Sequence, residues 1–319
     1  MNDEPQLKEV KVFAPATVAN VTCGFDVMGF ALEKPGDEVI ARRSTQPGLQ
    51  ITSITGDGGM LPTDIEKNTA GVAVQKLLEH LKVDTGIELE INKKMPLGSG
   101  LGSSAASSVG GVVAVNHLLG SPLNPNELLP FAAEGERVAC GSPHQDNVAP
   151  SLLGGFILIR SQNPPDLVGL ECPKPLFASV IYPHIEVRTE DTRRILRKEV
   201  LLSKAVHQWA NVGGLVAGLL KGDYGLISRS LEDVILEPIR SVLIPGFGEV
   251  KEAAINAGAL GGGISGSGPS IFALSKTNET ATEAAKAMQR VFSSLGLKSD
   301  TYVSKINTLG CQIISEQPA

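Results

Sequence analysis

Eleven residues, Pro96-Leu97-Gly98-Ser99-Gly100-Leu101-Gly102-Ser103-Ser104-Ala105-Ala106, carry the chain's most informative chemistry. They lie between an alternating run that reads as a strand, Ile87 to Ile91 (I-E-L-E-I), and a small-residue stretch, about Ser104 to Leu119, that reads as a helix. The first turn of a helix leaves backbone N–H groups without intrahelical partners and carries partial positive charge, so phosphate oxygens bind there favourably. Glycines at 98, 100 and 102 remove the Cβ atoms that would hold phosphates away. Ser103 and Ser104 add hydroxyls, one able to reach a phosphate and the other a metal ion. A Walker A loop is excluded, because no lysine stands in G-x-x-x-x-G-K-[ST] spacing. Gly100 to Ala105 does satisfy G-x-G-x-x-A, but the acid expected about 20 residues on is missing and the loop does not follow a first strand. Taken alone, the loop could also be a glycine turn before a helix packed on a sheet.

Two further segments share its character. Val12-Phe13-Ala14-Pro15-Ala16-Thr17-Val18-Ala19-Asn20, with Gly24-Phe25-Asp26, precedes it, and Gly262-Gly263-Ile264-Ser265-Gly266-Ser267-Gly268-Pro269-Ser270 follows. Together, in this order and over nearly the whole chain, the three resemble the signatures of the GHMP kinases, phosphotransferases of small alcohols. Mevalonate-type members carry P-G-K in the first segment, whereas here Thr17 of Pro15-Ala16-Thr17 replaces the lysine. That difference, with Pro143-His144-Gln145-Asp146-Asn147-Val148-Ala149-Pro150 and Glu237-Pro238-Ile239-Arg240, is similar to the branch acting on a hydroxylated amino acid.

The resemblance implies a two-domain α+β fold, with an N-terminal domain like domain 2 of ribosomal protein S5, a ferredoxin-like C-terminal domain and the active site in the cleft between them. It implies ATP and Mg²⁺ as cofactors and a small amino-acid substrate, and suggests a homodimer. It puts Pro96 to Ala106 and Gly266, Ser267 and Gly268 around the phosphates, Asn68 in the adenine pocket, and Ser104 and Glu136 on Mg²⁺, which takes hard oxygen ligands. Asn20, Asp26, His144, Asn147, Thr189, Arg193 and Arg240 fall at substrate positions, with Asp26 and Asn147 nearest the reaction. Chemistry agrees: an amino acid needs a carboxylate clamp, for which arginine's planar fork is suited, and an anionic partner for its ammonium. Phosphoryl transfer asks mainly for alignment and charge neutralisation, so a dedicated base is not required, and an Asp26 paired with ammonium would be a poor one. The chain departs from the family at Val18, at Val21-Thr22 and at Cys23, so the shape of that loop is not carried over. A kinase of another small alcohol and a non-catalytic nucleotide-binding protein on the same scaffold are the rival readings.

Composition limits the partners. Lys and Arg total 28 against 34 acids, a net charge of −6, and 9 Phe, 3 Tyr and 1 Trp leave little for base stacking. Nucleic acid is therefore not expected, and anionic ligands must be met by a few local cations and backbone N–H groups. Four scattered cysteines without a C-x-x-C pair argue against zinc and against a disulfide framework. The acidic, polar start without an apolar h-region, and apolar runs too short for a bilayer, lead us to expect a cytoplasmic protein and no membrane partner.

The elements that must hold these segments follow from periodicity. Strands are expected at Glu9–Phe13, Val39–Ser44, Leu49–Ile54, Gly155–Arg160, Phe177–Tyr182, Ser270–Leu274 and Thr301–Ile306. Helices are expected from an Asn68 or Thr69 cap through Leu81, from an Asn124–Glu127 capping box onward, and over Thr192–Leu220, Gly225–Leu231, Glu249–Ala257 and Thr280–Leu295. Pro15 should end the first strand, Pro130 should kink or restart its helix, and Ser142 to Pro150 reads as a polar loop. The Pro-rich stretch from Pro164 places the division between domains at 1–168 and 169–319. His80, His117, His184 and His207 read as surface or packing residues, and Cys23 as buried and inert.

Overall fold

In the computed structural model, which describes residues 7–141, 144–187, 192 and 194–318, the chain opens on a strand that changes character half-way. Strand β1 (Leu7–Ala19) alternates in burial up to Phe13, then is buried at every residue from Ala14 to Ala19. Exposed positions end there because elements pack on both faces, and a small-residue A-P-A-T-V-A sequence is what such a sandwiched strand tolerates. Pro15 does not end the pairing as expected. Strand β1 continues to Ala19, and a register shift between Pro15 and Thr17 absorbs the missing donor.

The long strand β2 (Met28–Ser44) runs antiparallel to β1 and divides its other edge, pairing with β4 (Gly86–Asn92) through Glu38–Ser44 and with β5 (Phe156–Gln162) through Met28–Phe30. Strand β3 (Leu49–Thr55) lies parallel to β4, and β6 (Pro165–Leu170) antiparallel to β5. Helices α1 (Thr69–Leu81), α2 (Ser103–Leu118), α3 (Pro125–Cys140) and α4 (Gln145–Leu153) cover this sheet. Asn68 caps α1 through Ala70 N and Gly71 N, and Ala70, Ala73, Val74, Leu77 and Leu78 form its buried stripe. The expected capping box opens α3, but Pro130 neither breaks nor restarts that helix. Leu128, Leu129, Ala132 and Ala133 are buried around it, and their packing outweighs one lost backbone bond. The expected polar loop is, from Gln145, the helix α4, whose Val148, Ala149 and Leu152 are buried; Ser142 and Pro143 lie outside the described residues.

The second sheet comprises β7 (Phe177–Pro183), β8 (Gly261–Ile264), β9 (Ile271–Ser275) and β10 (Ser299–Lys305), in the antiparallel order β10-β7-β9-β8. Numbered within the sheet this is 4-1-3-2, the ferredoxin-like arrangement. Between β7 and β8 come α5 (Leu202–Lys221), α6 (Tyr224–Ser230), α7 (Glu237–Arg240) and α8 (Phe247–Asn256), and α9 (Asn278–Ser294) joins β9 to β10. The single helix expected over Thr192–Leu220 is interrupted: Thr192 and Arg194 are helical, residues 195–201 are turn and irregular backbone, and α5 begins only at Leu202. Two strands cross the expected domain division. β6 spans 168/169, and β11 (Gln312–Pro318) returns from the second sheet to pair with β1.

The sheets meet in one apolar cluster. Phe30 on β2 packs on Phe156 of β5 with ring centroids 4.8 Å apart and edge-on to Phe272 of β9 at 5.7 Å, all three buried. Such a shared core couples the two halves. Phe30→Ala is expected to cost about 3–5 kcal/mol in urea unfolding and to leave a single transition followed identically by both halves. A resolved second transition would show that the halves unfold separately.

Candidate active site

Helix α2 is buried along almost its whole length, is built mostly of small residues, and lines a cleft at its N-terminal end through Ser103, Ser104 and Ser107. Its N-cap, Gly102, is left-handed (φ 68°) and provides no capping side chain, so the first amides of α2 are served by none. A Cβ on Gly102 would lie 2.1 Å from Thr17 Oγ1 and 2.9 Å from Asn147 Oδ1. Gly98, also left-handed, has nothing within 4 Å of where a Cβ would stand. The first glycine is therefore open toward the cleft, whereas the third is needed for close approach.

Backbone bonds tie the three glycine-bearing segments together. Thr17 N donates to Leu101 O (3.0 Å), Ser270 N to Ser99 O (3.2 Å), and Gly266 N to Ala19 O (3.2 Å). Ser265 Oγ donates to Gly100 O (2.7 Å), and a Cβ on Gly100 would meet Ser265 O at 2.6 Å and Gly268 O at 2.8 Å. Thr17 Oγ1 donates to Asn147 Oδ1 at 2.8 Å, leaving the Nδ2 hydrogens as the donors that Asn147 can offer a bound oxygen.

The result is a single cavity of about 380 Å³, into which the structure brings Asn20, Asp26, Asn68, Leu97, Gly98, Ser99, Gly100, Gly102, Ser103, Ser104, Glu136, His144, Asn147, Arg240, Gly266 and Ser267. Leu101, Ala105 and Ala106 are fully buried and face the core, and Pro96 and Gly268 are not on the cavity wall. Asn68 lies on the wall while capping α1 and donating from Nδ2 to Pro62 O at 2.9 Å. Thr189 and Arg193 lie outside the described residues.

On the cavity wall, Glu136 of α3 is 2% exposed beside the α2 terminus, where Ser104 stands in the first turn. A buried carboxylate and a hydroxyl at a phosphate-binding terminus fit a hard, largely hydrated divalent cation such as Mg²⁺. On the same wall, Arg240 is 5% exposed; its Nη1 donates to Gly266 O (3.2 Å) and its guanidinium lies 4.9 Å from the centroid of the Phe25 ring. Asn20 Nδ2 donates to the same carbonyl at 2.8 Å, and Asn20 Oδ1 accepts from Asp26 N at 3.0 Å. Four residues here, Asn20, Val21, Thr22 and Asp26, hold positive φ (71°, 41°, 62° and 58°), the conformation that the sequence could not carry over from the family. Asp26 Oδ1 stands 3.9 Å from His144 Nδ1.

The chain aligns with homoserine kinases over nearly its full length. It is 53% identical to homoserine kinase of Chloroherpeton thalassium, covering 97% of this chain and 100% of that one. It is 41% identical to that of Xanthomonas campestris pv. campestris, covering 97% and 95%. The chain belongs to the homoserine kinase family. Within the wider superfamily, the GHMP kinases N terminal domain matches residues 68–155 and the GHMP kinases C terminal domain matches 215–294. The crystal structure of homoserine kinase from Cytophaga hutchinsonii superposes with a TM-score of 0.96 at 58% identity, covering 98% of this chain and 100% of that one. Leishmania major mevalonate kinase, solved with R-mevalonate, shares the fold at 19% identity and a TM-score of 0.72.

Sequence reasoning missed what lies beneath the glycine loop and the first turn of α2. Lys93, 5% exposed, forms a buried ion pair with the fully buried Asp37 and donates to Ser103 O and Ser107 Oγ, both at 2.7 Å. Asp37 also accepts from Lys94 N (2.8 Å), Met95 N (3.2 Å) and Ser103 Oγ (3.1 Å). Burial pushes the Lys93 ammonium below the usual lysine range, and Asp37 opposes that. With its hydrogens directed at three protein oxygens, Lys93 fastens the first turn of α2 to the turn after β4. A lysine at the end of a strand and an aspartate in E-K-P-G-D give no hint of pairing across 56 residues.

The other histidines are surface or packing residues, as expected. His117 meets Glu316 (2.7 Å), His184 meets Asp300 (2.9 Å), His207 meets Glu232 (3.1 Å), and His80 packs on Phe131 at 5.1 Å. Burial raises the Cys23 thiol to about 11, which keeps it protonated and inert at neutral pH. Removing one member of the buried pair strands the other's charge, so Asp37→Ala should lower unfolding free energy by about 3–5 kcal/mol in urea titration. A loss below about 1 kcal/mol would mean that Lys93 finds other partners or loses its proton at little cost.

Proposed function

We propose that the chain transfers the γ-phosphoryl group of ATP to the side-chain hydroxyl of L-homoserine, giving O-phospho-L-homoserine and ADP, a step of threonine biosynthesis. One observation carries the reading: a single cavity is lined both by the bare α2 terminus with Glu136 and by Arg240 with Asp26. Family membership and 53–58% identity to named homoserine kinases support it. The homodimer suggested by the resemblance and the cytoplasmic location expected from the sequence belong to the same reading.

In this arrangement the amides of Gly98 to Ala106 bind the phosphates, and Ser267 closes over them from the third segment. Asn68 borders the adenine. Ser104 and Glu136 would hold Mg²⁺, whose chemistry there would be to neutralise phosphate charge. Arg240 grips the substrate carboxylate with a flat fork that cannot rotate freely, being stacked on Phe25 and bonded to Gly266 O. Thr189 and Arg193 belong to the same clamp. Asp26 takes the ammonium, with Asn20 holding its backbone. Asn147 and His144 face the hydroxyl, Asn147 as a donor to the reacting oxygens. No residue is needed as a strong base. A loose transition state demands alignment and charge neutralisation, and an Asp26 engaged with an ammonium is a poor proton acceptor for a hydroxyl.

ADP release with Mg²⁺-ATP should be at least tenfold faster at equal low concentrations with homoserine than with serine, threonine, mevalonate or galactose. Turnover of galactose without turnover of homoserine would refute the assignment. Arg240→Ala should raise the KM for homoserine by about tenfold or more and leave that for ATP within about twofold, as expected for loss of a substrate-binding contact. Gly102→Ala combines a positive φ with a Cβ 2.1 Å from Thr17 Oγ1. Steady-state kinetics of that variant should show kcat/KM for ATP reduced by about a hundredfold, the scale set by a misplacement of about 1 Å.

A further inference from the structure

A buried polar pair outside the cavity joins the two limbs that hold the amino acid. Gln208, on α5, and Asp233, on the turn after α6, are 7% and 8% exposed. Gln208 Nε2 donates to Asp233 Oδ1 (3.0 Å) and to Cys23 O (3.0 Å), and its Oε1 accepts from Val234 N (3.0 Å). Asp233 in turn accepts from three successive amides, with Ile235 N and Leu236 N on Oδ1 (2.9 Å each) and Glu237 N on Oδ2 (3.0 Å). Helix α7 has no capping side chain at its own N-cap, Leu236, so Asp233 provides the acceptors from upstream. Four residues on from Leu236, Arg240 N donates to Leu236 O at 2.9 Å.

Cys23 O, the other acceptor of Gln208, lies two residues before Phe25, whose ring underlies the Arg240 guanidinium. One carboxamide thus reaches both halves of the Phe25–Arg240 stack, the loop carrying the ring and the turn carrying the guanidinium. Buried polar groups fully engaged in this way rigidify what they join, because any displacement leaves a desolvated donor or acceptor without its bond. Neither Gln208 nor Asp233 borders the cavity.

We infer that Gln208 and Asp233 are positioning residues for amino-acid selectivity, fixing the Arg240 fork against Phe25 so that it meets the substrate carboxylate. The inference rests on the reading of Arg240 as the carboxylate clamp. It also predicts that the ATP side, fastened separately through Asp37 and Lys93, is indifferent to this pair.

The test is a double-mutant cycle on kcat/KM for homoserine at saturating Mg²⁺-ATP. Gln208→Met keeps the volume and removes the hydrogen bonds. Asp233→Asn is a milder second variant, retaining one oxygen acceptor and setting an amide against Glu237 N, should Gln208→Met fold poorly. Either should lower kcat/KM for homoserine about tenfold, with the KM for ATP within twofold of the parent and thermal melting still cooperative. In an Arg240→Ala background the same change should cost less than twofold, because the group it misplaces is gone. Equal losses in both backgrounds, or no loss in either variant while Arg240→Ala is impaired, would overturn the inference alone. An Arg240→Ala protein with unchanged homoserine kinetics would overturn the clamp itself, and the inference with it.

Discussion

Helix α2 imposes the constraint on which the rest of the molecule depends. All its residues but Ser104, Val113 and His117 are buried, so the terminus that points into the cleft cannot withdraw or tilt without opening the core. A terminus of this kind concentrates partial positive charge and bare amides at a fixed place. The protein as a whole is acidic, with a net charge of −6, so under the proposed function affinity for a triphosphate comes from that place rather than from the overall field. The surrounding glycine loops meet the same need. Gly100 lets the carbonyls of Ser265 and Gly268 pack against the loop, and Gly102 lets Thr17 and Asn147 do so. The three segments hold one another in register, and none of them forms the site alone.

The two buried cations are used differently, and their surroundings explain why. Lys93 is compact and fully engaged, paired with Asp37 and bonded to Ser103 O and Ser107 Oγ, so it stiffens the start of α2. Arg240 is planar and anchored by one carbonyl and one aromatic face, an arrangement that fixes the plane of the fork. A lysine at 240 would be a mobile point charge, and an arginine at 93 would have no room for its extra donors. The same fastening strategy recurs: Asp37 gathers backbone amides behind the glycine loop before α2, and Asp233 gathers them behind the turn that carries Arg240.

Much of this was legible in the residues. The strand–glycine loop–helix unit, the caps on α1 and α3, and the amphipathic periods of most helices report local physics, and local physics is what a sequence displays. The misreadings have a common cause in tertiary support. Pro15 and Pro130 sit inside continuous elements because a bulge and a packed apolar face compensate them. α4 hides behind a polar start and an internal proline, although its apolar side is buried. β8, Gly261-Gly262-Gly263-Ile264, shows no strand preference and is a strand because β9 supplies its partner; a Cβ on Gly262 would meet Phe272 O at 2.0 Å. The Asp37–Lys93 and Gln208–Asp233 pairs depend on contacts between distant segments, which leave no periodic trace.

The third glycine segment completes the geometry, since it touches both limbs. The carbonyl of Gly266 accepts from Asn20 and from Arg240, while its amide donates to Ala19 O. Gly266 is left-handed, with φ 59°, so a side chain there would strain the backbone that the two limbs share, although the nearest atom to its Cβ position, Gly100 O at 3.4 Å, is in ordinary contact. In phosphoryl transfer, the attacking and leaving oxygens must stand in line, and small separations between two binding half-sites are amplified in rate. A single backbone unit shared by the two half-sites sets that separation more tightly than side chains reaching from independent elements. That physical reason lets a site without a strong base rely on alignment.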